Sequence, residues 1–597
     1  MIAAVPGGYV RGLLALALFA AFCSNRPSSG VAEGVNEAQE WFTDRARESG
    51  LDFVHFNGMA GGFYFPETIP PGVALLDYDG DGDLDVFVAQ GQMLGKRALS
   101  EALYPPQGPL TSRLYRNDLD VHPDGTRTLR FTDVTDASGI VVHGYAMGAA
   151  TGDFNNDGCV DLYVTNLERS QLLRNNCDGT LTDVSAQSGT EDRGWSVSAA
   201  FVDYDRDGWL DLFVGNYVNY SVETDKPCVH PIGSLLDYCP PSLYRAQPNH
   251  LYHNNRDGTF TDVTAAAGMA REFGPALGVS TADFNGDGWI DIYVANDGEP
   301  NQLWINQRDG TFTNTALLAG AALGSSGEAK ASMGVDAGDF DQDGDEDLFI
   351  TELAREGHDL YVNDGSGIFE ERAAHAGIRL PSLPYTGFGA AWIDFDNDGW
   401  LDILTVNGAV RHTAEALARN EKFSLQQQKQ LFRNLGNGQF ADVTEQAGAV
   451  FQAPEVSRGA AFGDIDNDGD TDVVVANDSG PTRLLINNIG NRKHWVGLRL
   501  LGRQRRPSAS SGRPEPVEGR DMVGARVAIV RATGPTLWRR ARADGSYASA
   551  NDPRVLAGLG DSAKISKVRV QWPGGNAEEW TDVPIDRYTT LKEGEGR

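Results

Sequence analysis

The sequence predicts an all-β protein: a seven-bladed β-propeller closed by its own N-terminal strand, followed by a small C-terminal β-rich domain. Three observations carry this. A nine-residue acidic frame recurs seven times, beginning at Asp77, Asp153, Asp203, Asp283, Asp339, Asp394 and Asp464. After each of the first six comes an apolar run and then a hairpin phrase, of which Leu251-Tyr252-His253-Asn254-Asn255-Arg256-Asp257-Gly258-Thr259-Phe260-Thr261-Asp262 is the fullest form. The seventh frame is followed by Leu484-Leu485-Ile486-Asn487-Asn488 with no Phe-Thr-Asp strand, while an orphan Phe42-Thr43-Asp44 stands near the N-terminus.

Residues 1–23 read as an export signal, with Arg11 ahead of the apolar run Leu13 to Phe22, which is too short to cross a bilayer. Cys23 follows that run. A lipid anchor there is the alternative to simple secretion, and it is disfavoured because Phe22 stands where lipoprotein signals place a small residue. Residues 24–36 form a polar leader.

The propeller is placed at 37–492. One unit starts with a small-residue strand such as Gly389-Ala390-Ala391-Trp392-Ile393, then an acidic loop, then an apolar strand such as Leu401 to Val406. The hairpin phrase adds two more strands around an Asp-Gly or Asn-Gly turn, a pair that accepts positive φ at both central positions. Four antiparallel strands in units of about 50 to 80 residues are the mark of radial blades. Gly72, Gly148, Gly278, Gly334, Gly389 and Gly459 stand five residues before their frames, with Ser198 in the odd copy, as innermost strands crowded at an axis would require. Seven frames balance seven terminal strands only if Phe42-Thr43-Asp44 completes the last blade, a closure that removes exposed edges.

Residues 493–597 form the C-terminal domain. Trp495 to Leu500 opens it, a Pro/Ser/Arg-rich insertion at 503–520 reads as disordered, and Val523 to Val530 resumes strand alternation.

The chemistry lies in the frame. Its positions 1, 3, 5, 7 and 9 are Asp77, Asp79, Asp81, Asp83 and Asp85 in the first copy and Asp153, Asn155, Asp157, Cys159 and Asp161 in the second. The third carries Asp203, Asp205, Asp207, Trp209 and Asp211, and the fourth Asp283, Asn285, Asp287, Trp289 and Asp291. The fifth has Asp339, Asp341, Asp343, Asp345 and Asp347, the sixth Asp394, Asp396, Asp398, Trp400 and Asp402, and the seventh Asp464, Asp466, Asp468, Asp470 and Asp472. Carboxylates at alternate positions repel unless a cation sits among them. Ca²⁺ takes six to eight oxygens, which side chains 1, 3, 5 and 9 and the position 7 carbonyl would supply around a glycine turn. Up to seven structural Ca²⁺ are therefore expected. An EF-hand is excluded, because position 12 is Val88, Val164, Val214, Val294, Ile350, Thr405 or Val475 rather than Glu.

Net charge of −33 argues against nucleic acid or an anionic membrane surface as partner. Beyond Cys23 the cysteines number four, an even count that suits an oxidising compartment. Cys228 and Cys239 share one insertion and are expected to pair; Cys159 and Cys177 fit either a disulfide or two buried thiols.

The acidic loops resemble FG-GAP or VCBS repeats, which form integrin-like propellers. Val523-Gly524-Ala525, Gly558-Leu559-Gly560 and Trp572-Pro573-Gly574-Gly575 are similar to the ASPIC/UnbV domain. Together they resemble the cartilage acidic protein family of secreted proteins. The resemblance implies an exported chain, extracellular, periplasmic or at the cell surface, and the same loop ligand set.

Strand order places any ligand site. The insertions Gln90 to Ser112, Tyr217 to Pro248 and Gly408 to Lys429 fall between second and third strands, on the face opposite the acidic loops. His143, Tyr145, Arg193, Trp195, Arg271, Phe273, Tyr385, Phe388 and Arg458 precede or open the inner strands and converge there. Long loops on a rigid scaffold are where function sits, so the expected role is a macromolecular interaction or adhesion module for an extracellular protein or glycan. Exposed Trp195, Tyr217 and Tyr220 would favour carbohydrate recognition. A polymer hydrolase or lyase is the alternative from another class; a His or Tyr, an Arg and a carboxylate outside the loops, meeting in an open pocket, would favour it. No catalytic constellation is legible: the ten histidines are scattered, no Gly-x-Ser-x-Gly elbow is present, and the segments near Gly58 and Gly320 lack a phosphate-loop lysine.

Overall fold

The computed structural model describes residues 40–230, 235–412, 425–503 and 519–597. The export signal, the leader, Cys23 and most of the 503–520 insertion lie outside the described residues.

Among the described residues the chain is all-β, its helices single turns such as Thr135–Ser138 and Ser185–Ser188. Between Phe42 and Asn487 the described residues form seven four-stranded antiparallel sheets. In the third, Ser196–Val202 pairs with Asp211–Asn216, then His250–Asn254, then Phe260–Asp262. In the seventh, the outermost strand is Phe42–Asp44, with Phe42 opposite Asn487.

Apolar side chains of one sheet pack on those of the next. Leu212, Val214 and Phe260 of the third meet Ala150, Phe154 and Tyr163 of the second. Val474, Leu484 and Ile486 of the seventh meet Val73, Leu75 and Val86 of the first in the same manner. Each such buried side chain is worth about 1.5 to 3 kcal/mol. Innermost strands follow one another from Val73–Leu76 to Ser457–Gly463, and the last touches the first.

An asparagine stitches each sheet to its predecessor. The Nδ2 of Asn175 donates to Tyr78 O (2.7 Å), that of Asn254 to Phe154 O (2.8 Å), and that of Asn306 to Tyr204 O (2.8 Å). Asn363, Asn434 and Asn487 repeat the bond, and Asn117 donates to Ile465 O of the seventh sheet at 3.0 Å. These are the asparagines at the place of Asn254 in the hairpin phrase.

The C-terminal residues form a three-stranded sheet of Val555–Gly560, His494–Leu501 and Tyr588–Lys592, and a four-stranded sheet of Leu537–Arg540, Arg526–Arg531, Ile565–Gln571 and Ala577–Trp580. Val496, Leu498, Val527, Ile529, Val568 and Trp572 are among the side chains of their shared core. Residues 40–597 are one compact unit, because the segment between Arg540 and Val555 threads the centre of the seven sheets. Ala550 N–H donates to Val73 O and Leu75 N–H to Ala550 O (3.0 and 2.9 Å), Ala149 N–H to Ala548 O (3.2 Å), and Val335 N–H to Ser546 O (3.0 Å). Ala548 N–H reaches Ser198 Oγ at 3.0 Å, and Phe462 N–H reaches Asn551 Oδ1 at 3.0 Å. The small residues of the inner strands now have a cause. A Cβ on Gly72 would lie 1.9 Å from Ala548 O, and one on Gly148 2.3 Å from the same oxygen.

Candidate functional site

Every acidic loop has the same backbone. Position 4 is left-handed in all seven, at Gly80, Asn156, Arg206, Gly286, Gln342, Asn397 and Asn467, and so is the position 6 glycine. The position 5 carboxylate accepts the N–H of position 7, as in Asp81 with Asp83 N–H (2.9 Å) and Asp398 with Trp400 N–H (3.0 Å). The position 9 carboxylate ties the loop to its sheet. Asp85 accepts Tyr78 N–H and Asn117 N–H, both at 2.8 Å.

These bonds aim the acids at one another. Oxygens of Asp77, Asp79 and Asp85 lie within 4.8 Å of each other, as do those of Asp203, Asp205 and Asp207 and those of Asp339, Asp341 and Asp347. Buried oxygens of Asp77, Asp203, Asp339, Asp341, Asp394, Asp466 and Asp470 have no hydrogen-bond partner. A buried unpaired carboxylate oxygen is costly, so the donor set fits a cation that takes only oxygen. Burial first and Asp157 second push Asp153 up to about 7; burial and then Asp343 push Asp345 up to about 8. A cation would reverse both shifts.

Sequence reasoning missed that the C-terminal residues cover this end with arginines. Arg499 lies 3.6 Å from Asp77, Arg520 3.5 Å from Asp203, and Arg526 3.8 Å from Glu346, while Arg554 Nη2 donates to Asp464 O at 2.8 Å. The excess of acids in the repeats and the run of arginines after Leu498 was the legible signal.

Both disulfides form, Cys159 with Cys177 and Cys228 with Cys239. The first settles the open alternative in favour of pairing. It also fixes position 7 of the second loop to the turn that follows the next strand.

The opposite face holds a cavity of about 1060 Å³. Its wall comes from two of the three long insertions, through Tyr238, Tyr244 and Arg411, from other connections between second and third strands, through Asp297 and Glu356, and from the start of an inner strand, through Phe388. Tyr217 donates a very short hydrogen bond to Asp297. Burial pushes Asp297 up to about 6, the Tyr217 hydroxyl and the Arg411 charge opposing and Glu356 adding. His412 Nδ1 lies 3.2 Å from Asp237.

The condition set for carbohydrate recognition by aromatic rings is not met. Trp195, Tyr217 and Tyr220 are 1, 0 and 7% exposed and offer no ring face for a sugar. They form an aromatic cluster with Phe65 and Tyr145 that closes over Tyr547 of the central segment. Of the nine residues expected to converge on this face, Phe388 lines the cavity. Tyr145 and Arg458 are buried behind it, the latter donating to Thr68 O and Ala409 O (2.6 and 3.1 Å). His143, Arg193 and Arg271 are exposed and do not line it.

Repeated acidic β-loops, an all-β core and an arginine-rich C-terminal cover define a class, and family models identify it. An FG-GAP-like repeat model matches residues 153–214, 242–294, 283–350, 339–405 and 420–495, together just over half of the chain, and an ASPIC and UnbV model matches 516–597. The chain belongs to the FG-GAP-like repeat family. Among curated proteins it is similar to cartilage acidic protein 1 of Xenopus tropicalis (28% identical over 169 residues, 27% of this chain and 25% of that one) and of Homo sapiens (27% over 168 residues, 27% and 24%). The alignments thus span about a quarter of those relatives. Solved structures with similarity include an Agrocybe aegerita lectin specific for non-reducing terminal N-acetylglucosamine (TM-score 0.32, 15% identity, 58% of this chain and 84% of that one). A rhamnogalacturonan lyase is another (TM-score 0.27, 12% identity, 69% and 89%). Among the described residues no helix is long and apolar enough to cross a membrane.

Proposed function

We propose that the chain is an exported, calcium-stapled, seven-bladed propeller, closed by its N-terminal strand, that binds an extracellular protein or glycan through the face opposite its acidic loops. The observation that carries this is the cavity of about 1060 Å³ walled by the long insertions. Pockets of about 300 to 1,000 Å³ with few convergent polar groups are the usual ligand sites. The two disulfides and the cartilage acidic protein relatives support an extracellular setting. In the loops, side chains 1, 3, 5 and 9 and the position 7 carbonyl would hold Ca²⁺, which supplies only charge and geometry there. At the roughly 10⁻⁴ to 10⁻³ M affinities of extracellular modules the ions act as staples.

A panel of immobilised extracellular-matrix proteins and glycans, read by surface plasmon resonance, tests the reading. Any binder retained by the wild type should lose at least about tenfold in affinity with Arg411→Ala. Binders indifferent to Arg411→Ala and Glu356→Gln would remove the cavity from the proposal.

A second reading has its own support. Tyr217, Arg411 and Asp297 are a tyrosine, an arginine and a carboxylate outside the acidic loops in one open pocket, the arrangement that favours a polymer hydrolase or lyase. Incubating a bound glycan with the protein and looking for shorter products separates the two: turnover lost in Asp297→Asn points to the enzyme, and an unaltered glycan to the binder.

The loops themselves are unequal. Asn155 and Asn285 keep an oxygen at position 3 and remove a charge, so the second and fourth loops should release Ca²⁺ first. Calorimetric titration of Asn155→Asp and Asn285→Asp is expected to show tighter binding at those loops; affinities unchanged from wild type would refute it.

A further inference from the structure

The third loop differs from its siblings in the residue above it. The third strand of each sheet carries, just before its stitching asparagine, Arg116, Arg174 or Arg433 in three sheets and Ile305, Val362 or Ile486 in three more. In the third sheet it is His253. Asn254 N–H donates to Asp211 Oδ1 at 2.8 Å, which fixes the register and sets the preceding side chain over the loop. His253 Nδ1 then lies 3.2 Å from Asp211 Oδ1 and 3.5 Å from Asp205 Oδ2. Donor atoms of Asp205, Asp211 and His253 are mutually within 4.8 Å. The Tyr204 ring stands edge-on at 6.2 Å and steadies the imidazole.

We infer that this loop is a mixed imidazole and carboxylate centre for a transition-metal dication of the Zn²⁺ class, where its siblings are suited to Ca²⁺. The inference rests on the reading of the loops as cation sites, and takes the third one further. The imidazole decides it, because the carboxylates of this loop are engaged much as those of its siblings are. Asp207 Oδ1 accepts Trp209 N–H (2.8 Å), and its Oδ2 accepts Arg256 Nε (2.8 Å). Asp203 Oδ2 accepts Gly208 N–H (3.1 Å) and faces Arg520 at 3.5 Å. Asp203 Oδ1 and Asp211 Oδ2, on carboxylates that are almost wholly buried, have no hydrogen-bond partner.

The donors brought together at the imidazole are an oxygen each of Asp205 and Asp211 and the His253 nitrogen. Two carboxylate oxygens and an imidazole nitrogen, with the remaining position left to solvent, match the nitrogen-and-oxygen ligand sets of four-coordinate Zn²⁺. Imidazole itself is a ligand for Zn²⁺, Cu²⁺ and Ni²⁺ and is foreign to calcium sites. The side chain of His253 is 28% exposed, so an ion from solvent meets the imidazole edge before the buried carboxylates.

The test uses Co²⁺ as the probe, added to the full chain in excess Ca²⁺ so that the sibling loops are occupied. Wild type should take up one equivalent of Co²⁺ with the intense visible absorption of a low-coordinate site, and Zn²⁺ should bleach it. His253→Arg installs the side chain of three sibling sheets and should fold; His253→Gln is the second variant. Both should weaken Co²⁺ binding by more than the roughly 10- to 100-fold that outer-shell partners are worth. Absence of a stoichiometric Co²⁺ site in wild type, or equal affinity in His253→Arg, would overturn the inference. Calcium titration of the same samples keeps the two readings apart: loss of Ca²⁺ binding everywhere with the Co²⁺ site intact would count against the staples alone.

Discussion

Chelating divalent cations is expected to lower the melting temperature by about 8 °C. A ligand at about ten times its dissociation constant stabilises the folded state by roughly 1.4 kcal/mol per site. Seven such sites are worth on the order of 10 kcal/mol, comparable to the whole stability of an ordinary domain. The acids show why the effect is large. Without a cation, burial pushes Asp153, Asp394 and Asp464 up to about 7 and Asp345 to about 8. A folded-state pKa raised above the unfolded value means stability that is present at low pH and lost as pH rises through the folded pKa. Chelated protein should therefore lose stability between about pH 5 and 8, while protein in millimolar Ca²⁺ should change little over that window. Differential scanning calorimetry at pH 5 and 8, with and without chelator, measures both. Asp77→Ala and Asp81→Ala should lower the melting temperature in calcium buffer without weakening a ligand held on the opposite face. A melting temperature indifferent to chelator would refute the staples.

Much of the sheet repeat was legible because it is local. Position 6 glycines and the Asp-Gly turns are neighbours in the chain of what they bond, and period and turn chemistry report them directly; Phe42-Thr43-Asp44, which pairs with Leu485 to Asn487, was legible only by counting frames against terminal strands. The central segment is a different case. Residues 544–551 meet inner strands up to several hundred positions away, and nothing in their composition names their partners. Ser198 marked the odd copy in a row of glycines, yet its reason is the Ala548 N–H that its hydroxyl accepts. The aromatic rings failed as sugar platforms for the same reason. Trp195 and Tyr217 close over Tyr547, whose hydroxyl donates to Ile69 O at 3.1 Å, and a sequence cannot say which end of a channel is already filled. Asp297 and Arg411 lie far apart in the chain and carry no local motif, so the cavity needed the fold to assemble it.

The largest single-residue effect is expected at the root of that central segment. Arg542 Nη2 donates to Asp336 Oδ2 at 2.6 Å, and Nη1 makes a shorter contact with Oδ1. Asp336 is wholly buried in the inner strand of the fifth sheet, and it also accepts Trp392 N–H of the sixth at 2.8 Å. The pair thus ties two sheets and the C-terminal residues at one point. Removing one partner of a buried ion pair strands the other charge and costs about 3 to 5 kcal/mol. Arg542→Ala should therefore lower the unfolding free energy obtained by urea titration by that amount and speed hydrogen exchange across 541–552 ahead of the outer strands. Asp336→Asn with Arg542→Met leaves no stranded charge and should recover a substantial part of the loss, since buried pairs replaced by apolar groups of similar size are often neutral. A cost below about 1 kcal/mol for Arg542→Ala would mean that the segment is held by its backbone bonds alone. Equal destabilisation by single and double variants would place the cost in packing rather than in charge.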